Sequence, residues 1–183
     1  MRVIAGALKG RRLESPRWAG LRPTSDRLRE TLFDVLGEGV VGAVVLDGFA
    51  GTGALGLEAL SRGASTVVFV ERDRRAAALI GTNLDRCGVR ARGAIVTGAL
   101  PRAFARAAPG DRFDLILLDP PYAYSDAAVG AILSAAAPRL APGGRVVLEC
   151  ARRSASREVP ELTLRRRIAS GDSALVFYGG QSL

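Results

Sequence analysis

The residues best equipped for chemistry are Asp119-Pro120-Pro121-Tyr122. Asp119 offers a carboxylate and Tyr122 an aromatic face. The paired prolines fix the backbone, carry no N–H and leave the preceding carbonyls available as acceptors. The exocyclic amine of a nucleobase is flat because its nitrogen lone pair is shared with the ring. If Asp119 and the Pro120 carbonyl accept its two N–H groups, the nitrogen is drawn toward tetrahedral geometry and the lone pair becomes nucleophilic. The chemistry expected is attack on an aligned electrophile, with catalysis by positioning and electrostatics. Tyr122 would stack on the base, a contact worth about 1–3 kcal/mol in comparable systems, and the base would have to leave its helix to arrive there. A rigid turn with a surface aromatic would account for an Asp-Pro pair alone. All four residues after an apolar run favour the chemical reading. Tyr124 is either a second stacking ring or a loop anchor.

A second group precedes it. Gly51-Thr52-Gly53-Ala54-Leu55-Gly56 joins an expected strand to an expected helix, with Asp47 just upstream and Glu71 twenty residues after Gly51. Glycines admit a ligand to the backbone, and a helix start supplies N–H groups and the positive end of a dipole. Glu71 could hold ribose hydroxyls, and Asp47 could receive an ammonium group. A nicotinamide dinucleotide would use the same glycines and acid. Asp47 would repel its pyrophosphate, however, and no substrate domain is evident, so S-adenosylmethionine is the better fit. Glycines serving only a tight turn, with Asp47 as a cap, are the bland alternative.

The elements that must position these groups alternate. Strands are expected at Ala43–Leu46, Thr66–Val70, Ala94–Thr97, Phe113–Leu118 and Val146–Glu149. Helices are expected at Ala54–Ser61, Asp73–Arg86, Arg102–Ala107 and Ser125–Leu140, with a turn at Gly143-Gly144. This order predicts an α/β domain with a mostly parallel sheet. Leu162–Ile168 and Ala174–Tyr178 are separated by five residues, which suits an antiparallel hairpin. Arg165, Arg166 and Arg167 should alternate between its faces. Leu28, Leu32, Phe33 and Leu36 recur at helical spacing after Thr24, Ser25 and Asp26, which offer capping oxygens. Ahead of them, residues 1–20 contain two short strand-like pieces, Arg2–Gly6 and Arg11–Glu14, expected to form a basic hairpin arm. Residues 21–183 would then be the main domain.

The chain has 183 residues and a formal charge of +8, and 25 of its 26 cations are arginine. Arginine-rich coding bias could explain the preference over lysine. It does not explain the excess, which points to a polyanionic partner. Residues 1–30 hold eight cations and three acids. There is no histidine, and Cys87 and Cys150 carry no metal-ligand spacing, so histidine-based triads and the common zinc sites are excluded. No signal peptide or membrane span is expected.

These stretches resemble the bacterial 16S rRNA (guanine(966)-N(2))-methyltransferase family of class I S-adenosylmethionine-dependent enzymes. The resemblance rests on Met1-Arg-Val-Ile-Ala-Gly6, Lys9-Gly-Arg-Arg-Leu13, Arg22-Pro-Thr24, Asp26-Arg-Leu-Arg-Glu30, Phe49–Leu60 and Asp119–Tyr122. The N-terminal part is the specific one. It implies a Rossmann-like, seven-stranded, mostly parallel sheet ending in an antiparallel hairpin, and methylation of a guanine N2 in the small ribosomal subunit. By position, Asp47, Phe49, Ala50, Gly51 and Gly53 would line the methionine end of the donor. Glu71 would take the ribose, and Arg72 would lie beside the adenine. Asp119, Pro120, Pro121 and Tyr122 would hold guanine, and Arg22 and Thr24 would close over the donor carboxylate. Two departures stand out. Gly48 replaces a bulky apolar residue, and Gly98-Ala99 replaces an acid near the adenine, where the N–H groups of Ala99 and Leu100 could substitute. Arg2, Lys9, Arg11, Arg12 and Arg17 would track phosphates. We expect a cytoplasmic monomer that needs no metal and no membrane. The rivals are an adenine-N6 DNA methyltransferase and a non-catalytic RNA-binding assembly factor.

Overall fold

A computed structural model of the protein describes residues 1–16, 18, 25–107, 112–154 and 156–180. Arg17, Arg22 and Thr24 therefore lie outside the described residues. Helix α1 (Asp26–Leu36) opens on Ser25, whose hydroxyl accepts from the Leu28 N–H as the capping pattern requires. The chain then runs β1 (Val44–Gly48), α2 (Ala54–Ser61), β2 (Thr66–Glu71), α3 (Arg74–Cys87), β3 (Gly93–Thr97), β4 (Phe113–Leu118), α4 (Asp126–Ala136), β5 (Leu140–Ala151), β6 (Leu162–Ser170) and β7 (Ser173–Gly180).

The seven strands form one sheet of order β3-β2-β1-β4-β5-β7-β6. Pairing is parallel from β3 to β5 and antiparallel at β5–β7 and β6–β7. Alternation along each strand splits the core into two layers. Val45, Phe69, Leu117, Val147 and Leu175 pack beneath α1, α2 and α3. Leu46, Val70, Leu118, Leu148 and Val176 pack against α4 and the 3-10 turn at Arg102–Arg106. Helix α2 lies close on the sheet because Gly56 has no side chain: a Cβ there would stand 2.3 Å from Phe69 Cε1. From β1 the chain winds outward to β3, then returns to β4 on the other side of β1. The β1/β4 boundary is thus the topological switch point, where an open α/β sheet leaves its crevice.

Four expectations change in detail. The N-terminal pieces form a single bridge, Arg2 to Arg12, around a turn rather than two strands. Backbone hydrogen bonds join the two pieces, from Val3 to Arg11, Gly10 to Val3 and Leu13 to Met1, and others dock them on α2: Glu58 accepts from the N–H groups of Ile4 and Ala5, and the Ser61 carbonyl from that of Ala7. Val3 and Leu13 are buried in the main core. The helix expected to reach Leu140 ends its α-helical run at Ala136 and finishes as a 3-10 turn, since Pro138 has no N–H to donate. Gly143-Gly144 is not a free turn but an irregular stretch within β5, lying against the Phe113 carbonyl of β4. Register also shifts between Leu164 and Arg166, so the strict alternation of Arg165, Arg166 and Arg167 is broken.

Candidate active site

Four adjacent strands carry a carboxylate at or near their carboxyl ends: Glu71 on β2, Asp47 on β1, Asp119 after β4 and Glu149 on β5. Strand alternation places Glu71, Asp47 and Glu149 on the face covered by α1 to α3. Register sets their depth. Asp47 pairs with Phe69 and Leu117, one pleat below Glu71 and Asp119, while Leu118 pairs with Leu148, so Asp119 and Glu149 follow side by side.

A cavity of about 670 Å³ opens over these ends. Phe49, Ala50, Gly51, Glu71, Arg72, Ala99, Leu100, Asp119, Pro120, Pro121 and Tyr122 all line it, so both sequence motifs meet in one chamber. Asp47 and Gly53 do not line it. Asp47 is 1% exposed and accepts the Gly56 N–H at 2.8 Å, so it anchors the start of α2 from below instead of facing a donor ammonium. Burial pushes its carboxyl up to about 7; the Gly56 hydrogen bond opposes that shift, and the nearby Asp119 and Glu71 add to it.

Glu71 spends one oxygen on the Gly51 N–H and the other on the Asp73 N–H, both at 2.8 Å. It ties the glycine loop to the turn before α3 and still has lone pairs for two ribose hydroxyls. Phe49 holds the left-handed conformation, φ +65°, where a non-glycine residue is strained. Its ring meets Tyr124 edge-on at 5.3 Å, so Tyr124 anchors the loop while also lining the cavity. Gly48 leaves no void: a Cβ there would come within 2.8 Å of the Leu100 and Leu118 side chains, which fill the space of the expected bulky residue. The N–H of Gly98 donates to the Glu71 carbonyl, fixing the backbone before Ala99 and Leu100.

Several contributors go beyond the sequence motifs. Trp18 lines the cavity, with the Arg75 guanidinium 5.0 Å from its ring centre. Asn83 of α3 donates to the carbonyls of Thr52 and Glu14 and accepts from the Glu14 N–H, clamping the glycine loop and the N-terminal segment together. Glu149 and Ser173 line the wall beside Tyr122. Ser173 donates to Glu149 Oε1 at 3.0 Å, so its single proton is committed. The 3.0 Å contact between Tyr122 and Ser173 must then have the phenol as donor. An acid at a fourth strand end is the sequence signal available for Glu149; nothing in the sequence points to Asn83 or Ser173.

Arg2, Lys9, Arg11 and Arg12 are exposed on the N-terminal turn. None forms an ion pair among the described residues. No described helix is long and apolar enough to cross a membrane.

Sheet order, the glycine loop after β1, the acid ending β2 and the reversed last strand together define the class I S-adenosylmethionine-dependent methyltransferase fold. A sequence profile described as "Conserved hypothetical protein 95" matches residues 1–179, and the chain belongs to that family. It is 43% identical over 122 residues to the Ribosomal RNA small subunit methyltransferase D of Escherichia coli K12, a match spanning 67% of this chain and 60% of that protein. It is 40% identical over 123 residues to the putative rRNA methyltransferase YlbH of Bacillus subtilis, covering 67% of each. Among solved structures, the putative methyltransferase yhhF from Escherichia coli superposes with a TM-score of 0.85 at 32% identity, over 100% of this chain and 99% of that one. These relatives bear out the family resemblance read from the N-terminal and active-site stretches.

Proposed function

We propose that the protein transfers the methyl group of S-adenosylmethionine to the N2 amine of a guanine, of the position-966 type, in 16S rRNA of the small ribosomal subunit. One observation carries this reading: Asp119-Pro120-Pro121-Tyr122 and the glycine loop with Glu71 wall the same cavity. The names of the relatives support rRNA as the substrate class. The exposed N-terminal cations suit phosphate contacts.

The residues present fit the donor. The loop N–H groups, the Glu71 carboxylate, Arg72 and the Ala99–Leu100 backbone would hold its methionine, ribose and adenine parts, and Arg22 and Thr24 its carboxylate. When bound, the donor would supply a sulfonium methyl: its C–S bond breaks, leaving a neutral thioether, as the new C–N bond forms, and the methylated amine then sheds one proton to solvent. Asp119 and the Pro120 carbonyl hold the two amine N–H groups, Pro121 fixes their spacing, and Tyr122 stacks on the base. Arg2, Lys9, Arg11, Arg12 and Arg17 track the RNA backbone. The protein acts as a monomer, without a metal ion, in the cytoplasm.

The test is transfer of a labelled methyl group to small subunits that lack the modification, with the product mapped to a nucleotide and atom. Label on guanine N2 of the 16S RNA supports the reading. Label on adenine N6, or transfer to DNA in preference to subunits, overturns it.

A further inference from the structure

The proposed reaction accounts for Asp119 but not for the acid beside it. Glu149 is 9% exposed, lies one strand over at the level of Asp119 and lines the same cavity. Adjacent strands run about 4.8 Å apart, close enough for two side chains from neighbouring strand ends to converge on one base edge. Ser173, from the start of β7, binds Glu149 Oε1 and receives the Tyr122 hydroxyl. The carboxylate is thus oriented by the same hydrogen-bonded chain that orients the proposed stacking ring.

A base whose amine is held at Asp119 presents its neighbouring ring nitrogen along the same edge. In guanine that nitrogen is N1, which carries a hydrogen and donates. In adenine it is N1, and in cytosine N3; both are bare acceptors. A carboxylate has only acceptor oxygens. It rewards the first arrangement and repels the other two. Two neighbouring acids therefore match an edge that donates at both positions, and guanine alone among the four RNA bases pairs an exocyclic amine with an adjacent ring N–H.

Resting on the guanine-N2 reading above, we infer that Glu149 is the specificity-determining acceptor for guanine N1–H, with Ser173 its positioning residue. Asp119 selects for an amine; Glu149 selects which base bears it. No proton need be transferred to Glu149: its contribution is a charge-assisted hydrogen bond that strengthens as positive charge builds on the neighbouring amine during attack.

The experiment uses the full chain and small subunits reconstituted with ligated 16S RNA carrying guanine or 2-aminopurine at the methylated position. The analogue keeps the 2-amino group but has a bare N1. Wild type should prefer guanine by at least about 10²-fold in kcat/KM, because a site built to accept a hydrogen bond leaves its acid facing a lone pair in the analogue. E149Q should shrink that preference to about tenfold or less, since the amide can turn its N–H toward the bare nitrogen. E149D, which withdraws the charge by one methylene, should slow guanine about tenfold or more and 2-aminopurine less than about twofold. Donor affinity within about twofold of wild type is the control for folding of each variant. A residue that merely props Tyr122 would slow both bases together and leave the ratio unmoved. Equal wild-type rates on both bases, or unchanged ratios in both variants, overturn the role of Glu149 while leaving amine methylation intact. Absence of N2 product on guanine-bearing subunits overturns the underlying reading instead.

Discussion

The two halves of the cavity use the same kind of residue for different ends. On the β2 and β1 side, carboxylates are absorbed into the framework: Glu71 and Asp47 accept backbone N–H groups from Gly51, Asp73 and Gly56. On the β4 and β5 side, shape comes from covalent constraint in the two prolines, and Glu149 bonds to the hydroxyl of another cavity residue. Acids that build a loop should affect how tightly the donor is held; acids that face an acceptor base should affect how fast it reacts.

That contrast can be broken by separating rate from affinity. The largest effect is expected from Asp119→Ala, with kcat lower by about 10³-fold, the loss seen when one preorganised transition-state hydrogen bond is removed, and donor affinity by calorimetry unchanged. Unchanged turnover would remove Asp119 from the chemistry. Glu71→Ala should do the reverse: donor Kd weaker by about 10²-fold, corresponding to about 2.7 kcal/mol for the ribose hydrogen bonds and the loosened loop, with turnover at saturating donor within a fewfold of wild type. Replacing Arg2, Arg11 and Arg12 together by Gln should leave both donor affinity and turnover alone. It should weaken subunit binding about tenfold near physiological salt and flatten the dependence of log K on log salt by about 0.7–0.9 for each phosphate no longer neutralised. The last effect concerns stability, not catalysis or binding, and is read as a slope. The Asp47 carboxyl keeps its proton up to about pH 7 in the folded protein, against an ordinary value of 3.8. The native state therefore binds the extra proton between those values. Its stabilising contribution is complete below pH 3.8 and is lost as pH rises to about 7, at no more than about 1.4 kcal/mol per pH unit. Asp47→Asn should remove that component from denaturation midpoints measured across the window.

Legibility in the sequence follows the range of the interactions involved. Helix α2 and strand β4 are legible to the residue because their signals are local: glycines flank one, and a polar break with a proline follows the other. The antiparallel hairpin is legible because five residues cannot carry a helical crossover. The N-terminal segment looks like a projecting arm in the sequence because what holds it is distant. Glu58 and Asn83 bind its backbone from 53 and 69 residues away, and no periodicity within residues 1–16 encodes that. Spacing to the glycines makes Asp47 resemble a donor ligand. Register, not spacing, sets it a pleat lower, and register depends on how β1 pairs with β2 and β4. Ser173 is invisible for the same reason: it reaches Tyr122 across 51 residues through the reversal of β7.

That reversal carries a consequence for how such an enzyme can be remodelled. Since β7 enters the sheet against the direction of β5, its first residue arrives at the mouth of the crevice, with the short Gly171–Asp172 connection just outside. One side of the chamber is thereby supplied by a surface hairpin. Grafting a different hairpin tip would exchange the lining around the incoming nucleobase while the glycine loop, its acid struts and the paired prolines stay in place.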